Sequence, residues 1–218
     1  MRRSARCTSG AALSLPRYVE ATRPGSAQVV VEHDGAMLDA VLARVPLPRD
    51  ADVELVIADA RVAVSEMSGA RHETAVPGRE RPQPEASARP STLPFDLVVV
   101  DLYTGLEPPA FVSSPGFVRD VLAVVAADGL VIVNVADAAG LTRLGAQARA
   151  FTRIAPTAEL LVAGGSPVLA GAEEGNAILV VAPGGVPADL ERRLLAAGPH
   201  PAGVLTADRL DFVLWGAC

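Results

Sequence analysis

Three short apolar runs, each ending in a carboxylate, constrain this sequence more than any other feature. Val29-Val30-Val31 ends at Glu32, Val53 to Ala58 ends at Asp59, and Leu97 to Val100 ends at Asp101. A fourth run, Leu130 to Val135, follows. These runs are rich in β-branched residues and nearly continuous rather than alternating. That is the pattern of strands covered on both faces of a parallel sheet.

Helical patterns fall between the runs. Gly35 to Arg44 carries Met37, Leu38, Val41 and Leu42 at helical spacing. Ser114-Pro115 offers an N-cap and a first-turn proline, and Phe117, Val118, Val121, Leu122 and Val125 then form one apolar stripe. Asp128-Gly129 reads as the stop of that helix and the turn into the next strand. Leu141, Leu144, Ala148 and Phe151 mark a further helix. Strands are predicted at Leu160 to Val162 and Ala177 to Ala182, a helix at Pro187 to Ala197, and a last short helix at Ala207 to Trp215. Alternation of strand and helix predicts an α/β fold with a doubly wound, mostly parallel, Rossmann-like sheet.

The length of 218 residues suits a single domain, 1–218. Half the residues are hydrophobic and only 4% are aromatic, so the core must be aliphatic. Ser68 to Pro94 is rich in Pro, Arg, Glu, Ser and Gly, and reads as a flexible insertion at about 68–94, inside the domain. The net charge of −6 and the lack of a basic face argue against a nucleic-acid partner. No apolar run is long enough to span a bilayer, so no membrane partner is expected. Cys7 and Cys218 stand far apart, which suggests free thiols in a cytoplasmic protein. His33, His72 and His200 are scattered, and no metal is expected. All basic side chains are Arg, so no lysine-bearing phosphate loop exists.

Ligands of open parallel sheets bind outside the carboxyl ends of the strands. A carboxylate at the end of the strand after a glycine-containing turn can accept hydrogen bonds from both ribose hydroxyls, and Glu32 is placed for that role. Asp59-Ala60 is placed to meet the exocyclic amine of an adenine. Asp101, at the next strand end, would lie close to a reacting centre. The competing expectation for each acid is a helix N-cap or a solvated strand end.

Val29 to Asp34, Val56 to Arg61 and Phe95 to Asp101 together resemble the consecutive motifs of the spermidine synthases, within the class I S-adenosylmethionine-dependent methyltransferase superfamily. Gly105, Pro108-Pro109-Ala110 and Ser113-Ser114-Pro115-Gly116-Phe117 resemble the loop and helix start that follow the family's catalytic acid. The resemblance covers roughly residues 8 to 182. It implies a cytoplasmic transferase of polyamine biosynthesis that takes S-adenosylmethionine or its decarboxylated form and passes an aminopropyl group to a small-molecule amine. It implies Asp101 as the catalytic acid, Glu32, Asp59 and Ala60 with Gly10 as cofactor-binding residues, and Tyr103 and Thr104 as substrate-side residues. It admits a homodimer. In Thr8 to Ala12 only Gly10 matches the glycine turn, and Met1 to Cys7 is polar and basic, so the first strand is expected to be missing or degenerate and the N-terminal β-hairpin domain absent. A methyltransferase acting on another acceptor, and a non-catalytic binding module, are the alternative readings of the same scaffold.

Overall fold

The structure is a computed structural model that describes residues 7–8, 13–69, 94–103, 105, 107–198, 200–206 and 209–210. Gly10, Thr104, most of the expected insertion, and most of the expected helix at Ala207 to Trp215 lie outside the described residues.

Strands and helices alternate as the apolar runs demand. The strands are β1 (Cys7–Thr8), β2 (Gln28–Glu32), β3 (Val53–Ile57), β4 (Phe95–Asp101), β5 (Val125–Asp137), β6 (Glu159–Gly165), β7 (Gly175–Ala182) and β8 (Ala202–Leu205). The helices are α1 (Ser14–Thr22), α2 (Gly35–Arg44), α3 (Ala60–Ser68), α4 (Pro115–Val124), α5 (Thr142–Ile154), α6 (Ser166–Leu169) and α7 (Leu190–Ala197). Six strands form one sheet in the order β1-β4-β5-β7-β6-β8, and β2 pairs with β3 in a second ribbon that lies beside β1. The β1–β4, β4–β5 and β2–β3 pairs are parallel, whereas β7 runs antiparallel to both β5 and β6 and β8 antiparallel to β6. The chain thus winds outward from β1 toward β3 on one side, then crosses back to β4 and proceeds toward β6 on the other. That reversal of strand order between β1 and β4 is a topological switch point, where open α/β sheets bind ligands.

Among the described residues the first strand comprises Cys7 and Thr8, in register with Val100 and Asp101. β2 is buried along all five residues, as its continuous apolar run predicts. Two other runs depart from the expectation of cover on both faces. β3 is the last strand on its side among the described residues, and Glu54 and Ile57 are exposed. β5 alternates between buried and partly exposed positions over its second half, so one face carries the packing. The expected stop at Asp128-Gly129 is also corrected: α4 ends at Val124, and β5 begins at once. Between the pairs Phe95↔Val125 and Leu97↔Leu130 the chain advances two residues on β4 and five on β5, so Asp128-Gly129 lies in a bulge of the strand.

The main core is aliphatic, as the composition requires. Val118 and Val121 of α4, Leu144 and Phe151 of α5, and Val131 and Val133 of β5 are all essentially fully buried. Capping follows local chemistry. Asp34 Oδ1 accepts from the Met37 N–H at 2.9 Å at the start of α2, and Ser114 Oγ accepts from the Phe117 N–H at the start of α4. Ser68, the last residue of α3, donates through its hydroxyl to Asp120 on α4 at 3.1 Å, so the fold is tied together up to the point where the expected insertion begins.

Two glycines of opposite character test this packing. A Cβ at Gly129 would stand 2.8 Å from Val125 Cγ2 and 2.9 Å from the Phe95 carbonyl oxygen, while one at Gly116, in α4, would meet nothing within 4 Å. Gly129→Ala is expected to destabilise the protein by about 1–3 kcal/mol through overpacking. Gly116→Ala is expected to stabilise it by up to about 1 kcal/mol through helix propensity. Urea denaturation of the two variants checks both signs.

Candidate functional site

Two crevices open at the carboxyl edge of the sheet. The first, about 480 Å³, is bounded by residues just before and after the ends of β2, β3 and β4: Val31, His33, Ala58, Asp59, Ala60, Leu102 and Tyr103, with Pro109 and Phe111 from the following loop. The second, about 630 Å³, lies between the ends of β4 and β5, the loop at 108–113 and α5. Leu102 and Pro109 belong to both, so the crevices share a wall.

The structure places Glu32, Asp59 and Asp101 at the ends of β2, β3 and β4, on this same edge, and gives each a different setting. Glu32 is buried, 4% exposed, and its Oε1 accepts the backbone N–H groups of His33 at 2.8 Å and Asp34 at 3.0 Å. His33 Nδ1 also lies 3.0 Å from Glu32 Oε1. These contacts fix the turn that leads into α2, and Glu32 sits behind the wall formed by its neighbours Val31 and His33. Asp59 is exposed in the first crevice and caps α3, its Oδ1 accepting from the N–H groups of Arg61 at 2.9 Å and Val62 at 3.3 Å. Ala60 is the first residue of that nine-residue helix and lines the crevice, which places the positive pole of the helix dipole beside it. Phe111 is held by Phe117, edge to face at 5.2 Å, and by the Arg61 guanidinium 5.6 Å from its ring centre.

Asp101 is linked to the other crevice. Its Oδ1 accepts from Asn134 Nδ2 at 2.9 Å, and Asn134 lines the second crevice. Tyr103 closes the gap between the diverging strands. Its hydroxyl accepts from the Ala136 N–H at 3.1 Å and donates to the Asn134 carbonyl at 3.3 Å. The phenol is therefore committed to β5, and the ring is what Tyr103 offers to the first crevice. Burial, and secondarily the nearby Asp101 charge, push the Tyr103 phenol above its ordinary value of 10.0, partly offset by the Ala136 N–H. Among the described residues no cluster of His, Cys, Asp and Glu could hold a metal, and no helix is long and apolar enough to cross a membrane.

No family model and no curated protein matches this sequence. Solved structures do match. A probable spermidine synthase from Corynebacterium glutamicum superposes with a TM-score of 0.77 at 19% identity, covering 99% of this chain and 71% of that one. A spermidine synthase in complex with the transition state analogue AdoDATO gives 0.58 at 13% identity, covering 88% of this chain and 60% of that one. Human methyltransferase-like protein 13 in complex with SAH gives 0.57 at 19% identity, with 83% and 72% covered. The chain has the spermidine synthase-like, class I methyltransferase fold. The expected fold class stands with it, and the antiparallel β7 between β5 and β6 belongs to that architecture here.

On this fold, sequence reasoning missed Asn134, Phe111, Arg143 and Glu107. Asn134 carried a readable signal, because it is the one polar residue within Val131-Ile132-Val133-Asn134-Val135, and a polar side chain in a packed strand needs a partner. Arg143 gave none, since its position at the crevice depends on where α5 starts. That start is set by buried Asp137, whose Oδ2 accepts the Leu144 N–H at 2.7 Å.

The raised Tyr103 value has a definite sign. The fold favours the neutral phenol, so its contribution to stability is fully present below pH 10 and is lost as pH rises through the higher folded value. Only two tyrosines exist, so Tyr18→Phe isolates Tyr103. Its ultraviolet titration is expected to have a midpoint above 10, and Asp101→Asn in the same background is expected to move that midpoint down by removing the second cause.

Proposed function

We propose that the first crevice binds the nucleoside of a sulfonium donor, S-adenosylmethionine or its decarboxylated form, and that the second receives the acceptor. The reading is a spermidine synthase-like transferase that passes an aminopropyl group to a small-molecule amine. The observation that carries it is that β2, β3 and β4 end at one edge at the switch point, each with a carboxylate at or just past its end, Asp59 lining the first crevice and Asp101 bonded to Asn134 of the second.

The residues suit such a nucleoside. Val31, Ala58 and Phe111 give apolar faces for a flat base. Asp59 and the start of α3 at Ala60 offer an acceptor and donors for its polar edge. The Glu32 carboxylate, fixed at its strand end by two backbone N–H groups, is the group for the ribose hydroxyls. Gly10 is proposed for the cofactor side, and Tyr103 and Thr104 for the substrate side. An acidic edge also favours a cationic sulfonium.

The bound donor supplies a carbon whose bond to sulfur breaks with the electron pair left on sulfur as a neutral thioether. Asp101 orients the acceptor nitrogen and takes the proton it releases, so that the uncharged lone pair attacks. Asn134 holds the Asp101 carboxylate through Oδ1. Tyr103 keeps the ends of β4 and β5 at fixed separation through both of its hydroxyl contacts.

The alternative on this scaffold is methyl transfer. It is favoured by the likeness to human methyltransferase-like protein 13, solved with SAH. The donor's carboxylate separates the two readings. Calorimetry with methylthioadenosine, S-adenosylmethionine and its decarboxylated form is expected to show binding of all three, tightest for the decarboxylated donor. No binding by any of them at millimolar concentration would remove both readings and leave a non-catalytic module. Phe111→Ala is expected to weaken methylthioadenosine by about tenfold or more through loss of the stacking face. Asp101→Asn is expected to keep that affinity and lower turnover by about 10²–10⁴-fold.

A further inference from the structure

The second crevice carries an electrostatic signature of its own. Val100, Val133, Val135 and Ala146 give it apolar walls, and Ser113, Asn134 and Gln147 add uncharged polar groups. Among the described residues lining it, Arg143 is the one charged side chain. The guanidinium donates through Nη2 to Glu107 Oε1 at 2.5 Å, and Nη1 lies 3.5 Å from the Ala136 carbonyl. Glu107 is 70% exposed and Arg143 40% exposed, so the partner stands largely in water at the rim while the cation reaches the crevice. Toward Asp101 the chemistry reverses. The buried Asn134 Oδ1 accepts no hydrogen bond, while Nδ2 of the same amide is spent on Asp101. The amide is thus fixed by Asp101 on its donor side.

The Asn134 amide, held by Asp101, lines one part of the crevice, and Arg143 brings a cation to another. An ammonium beside Arg143 would face a like charge, whereas a carboxylate would be attracted. We propose that the acceptor is an amine whose far end bears a carboxylate, an ω-amino acid, and not a diamine. Its amine is received toward Asp101, and its carboxylate by Arg143 in exchange for Glu107. The assignment of the crevice to an acceptor rests on the proposed function, whereas the charge preference rests on Arg143 alone.

The test compares 4-aminobutyrate, butylamine and putrescine, which share a four-carbon chain and differ at the far end. Each is titrated calorimetrically into the full chain, with and without saturating methylthioadenosine. The expected order is 4-aminobutyrate, then butylamine, then putrescine, with at least about tenfold between the first and last. Arg143→Ala is expected to erase the advantage of 4-aminobutyrate over butylamine. Glu107→Gln, at an exposed position, is expected to strengthen 4-aminobutyrate severalfold by freeing Arg143. Putrescine binding as tightly as 4-aminobutyrate, absence of 4-aminobutyrate binding, or indifference to both substitutions would each overturn the inference. Binding of 4-aminobutyrate with the stated dependence on Arg143, but none of methylthioadenosine, would uphold the ligand class and overturn the transferase reading.

Discussion

The β4–β5 ladder runs in parallel register as far as Val100↔Val133 and then stops. The functional edge of the molecule depends on that stopping point. Up to it, the valines of both strands pack against α4 and α5, and the ladder satisfies their backbone groups. Beyond it the strands part, and side chains take over the work of the backbone. Tyr103 accepts from one peptide of β5 and donates to another, and Asp101 takes the Asn134 amide. The parting of the strands opens the second crevice, and the turn of the chain after β4 supplies the wall shared with the first. A ladder two residues longer would fill the one and move the other.

Much of this was legible in the sequence because burial on both faces leaves a strong trace. The run ending at Glu32 is a strand buried throughout, and Gly35 to Arg44 is a helix with the bounds its apolar spacing predicts. Ser114-Pro115 begins α4 for the reason those residues suggest. What the sequence hid was tertiary. Asp128-Gly129 has the composition of a turn, yet the neighbouring strand β4 pairs on both sides of it and makes it a bulge. The N-cap and the crevice positions expected for Asp59 are not alternatives, since one oxygen caps α3 while the residue lines the first crevice. Glu32 could be placed at a strand end from its apolar run, but its capture by the next two backbone N–H groups requires the turn geometry.

The two crevices differ in charge although they share a wall. The first is bordered by the Asp59 carboxylate and by the start of a helix. The second has valine walls, uncharged polar groups and a guanidinium. Arg143 and Glu107 are 36 residues apart, so this contrast cannot be seen in any local motif. It arises because α5 begins where Asp137 caps it, one residue before Arg143 reaches the crevice. In the proposed function the first crevice takes the nucleoside, and the charges in the adjoining crevice decide what can be brought to it.

The most direct measurement is a crystal structure of the chain grown with methylthioadenosine. Electron density for the base is expected between Val31, Ala58 and Phe111, with the ribose toward Glu32 and the sulfur toward the wall that separates the two crevices. Density for the nucleoside in the second crevice, or away from the carboxyl ends of β2, β3 and β4, would contradict it.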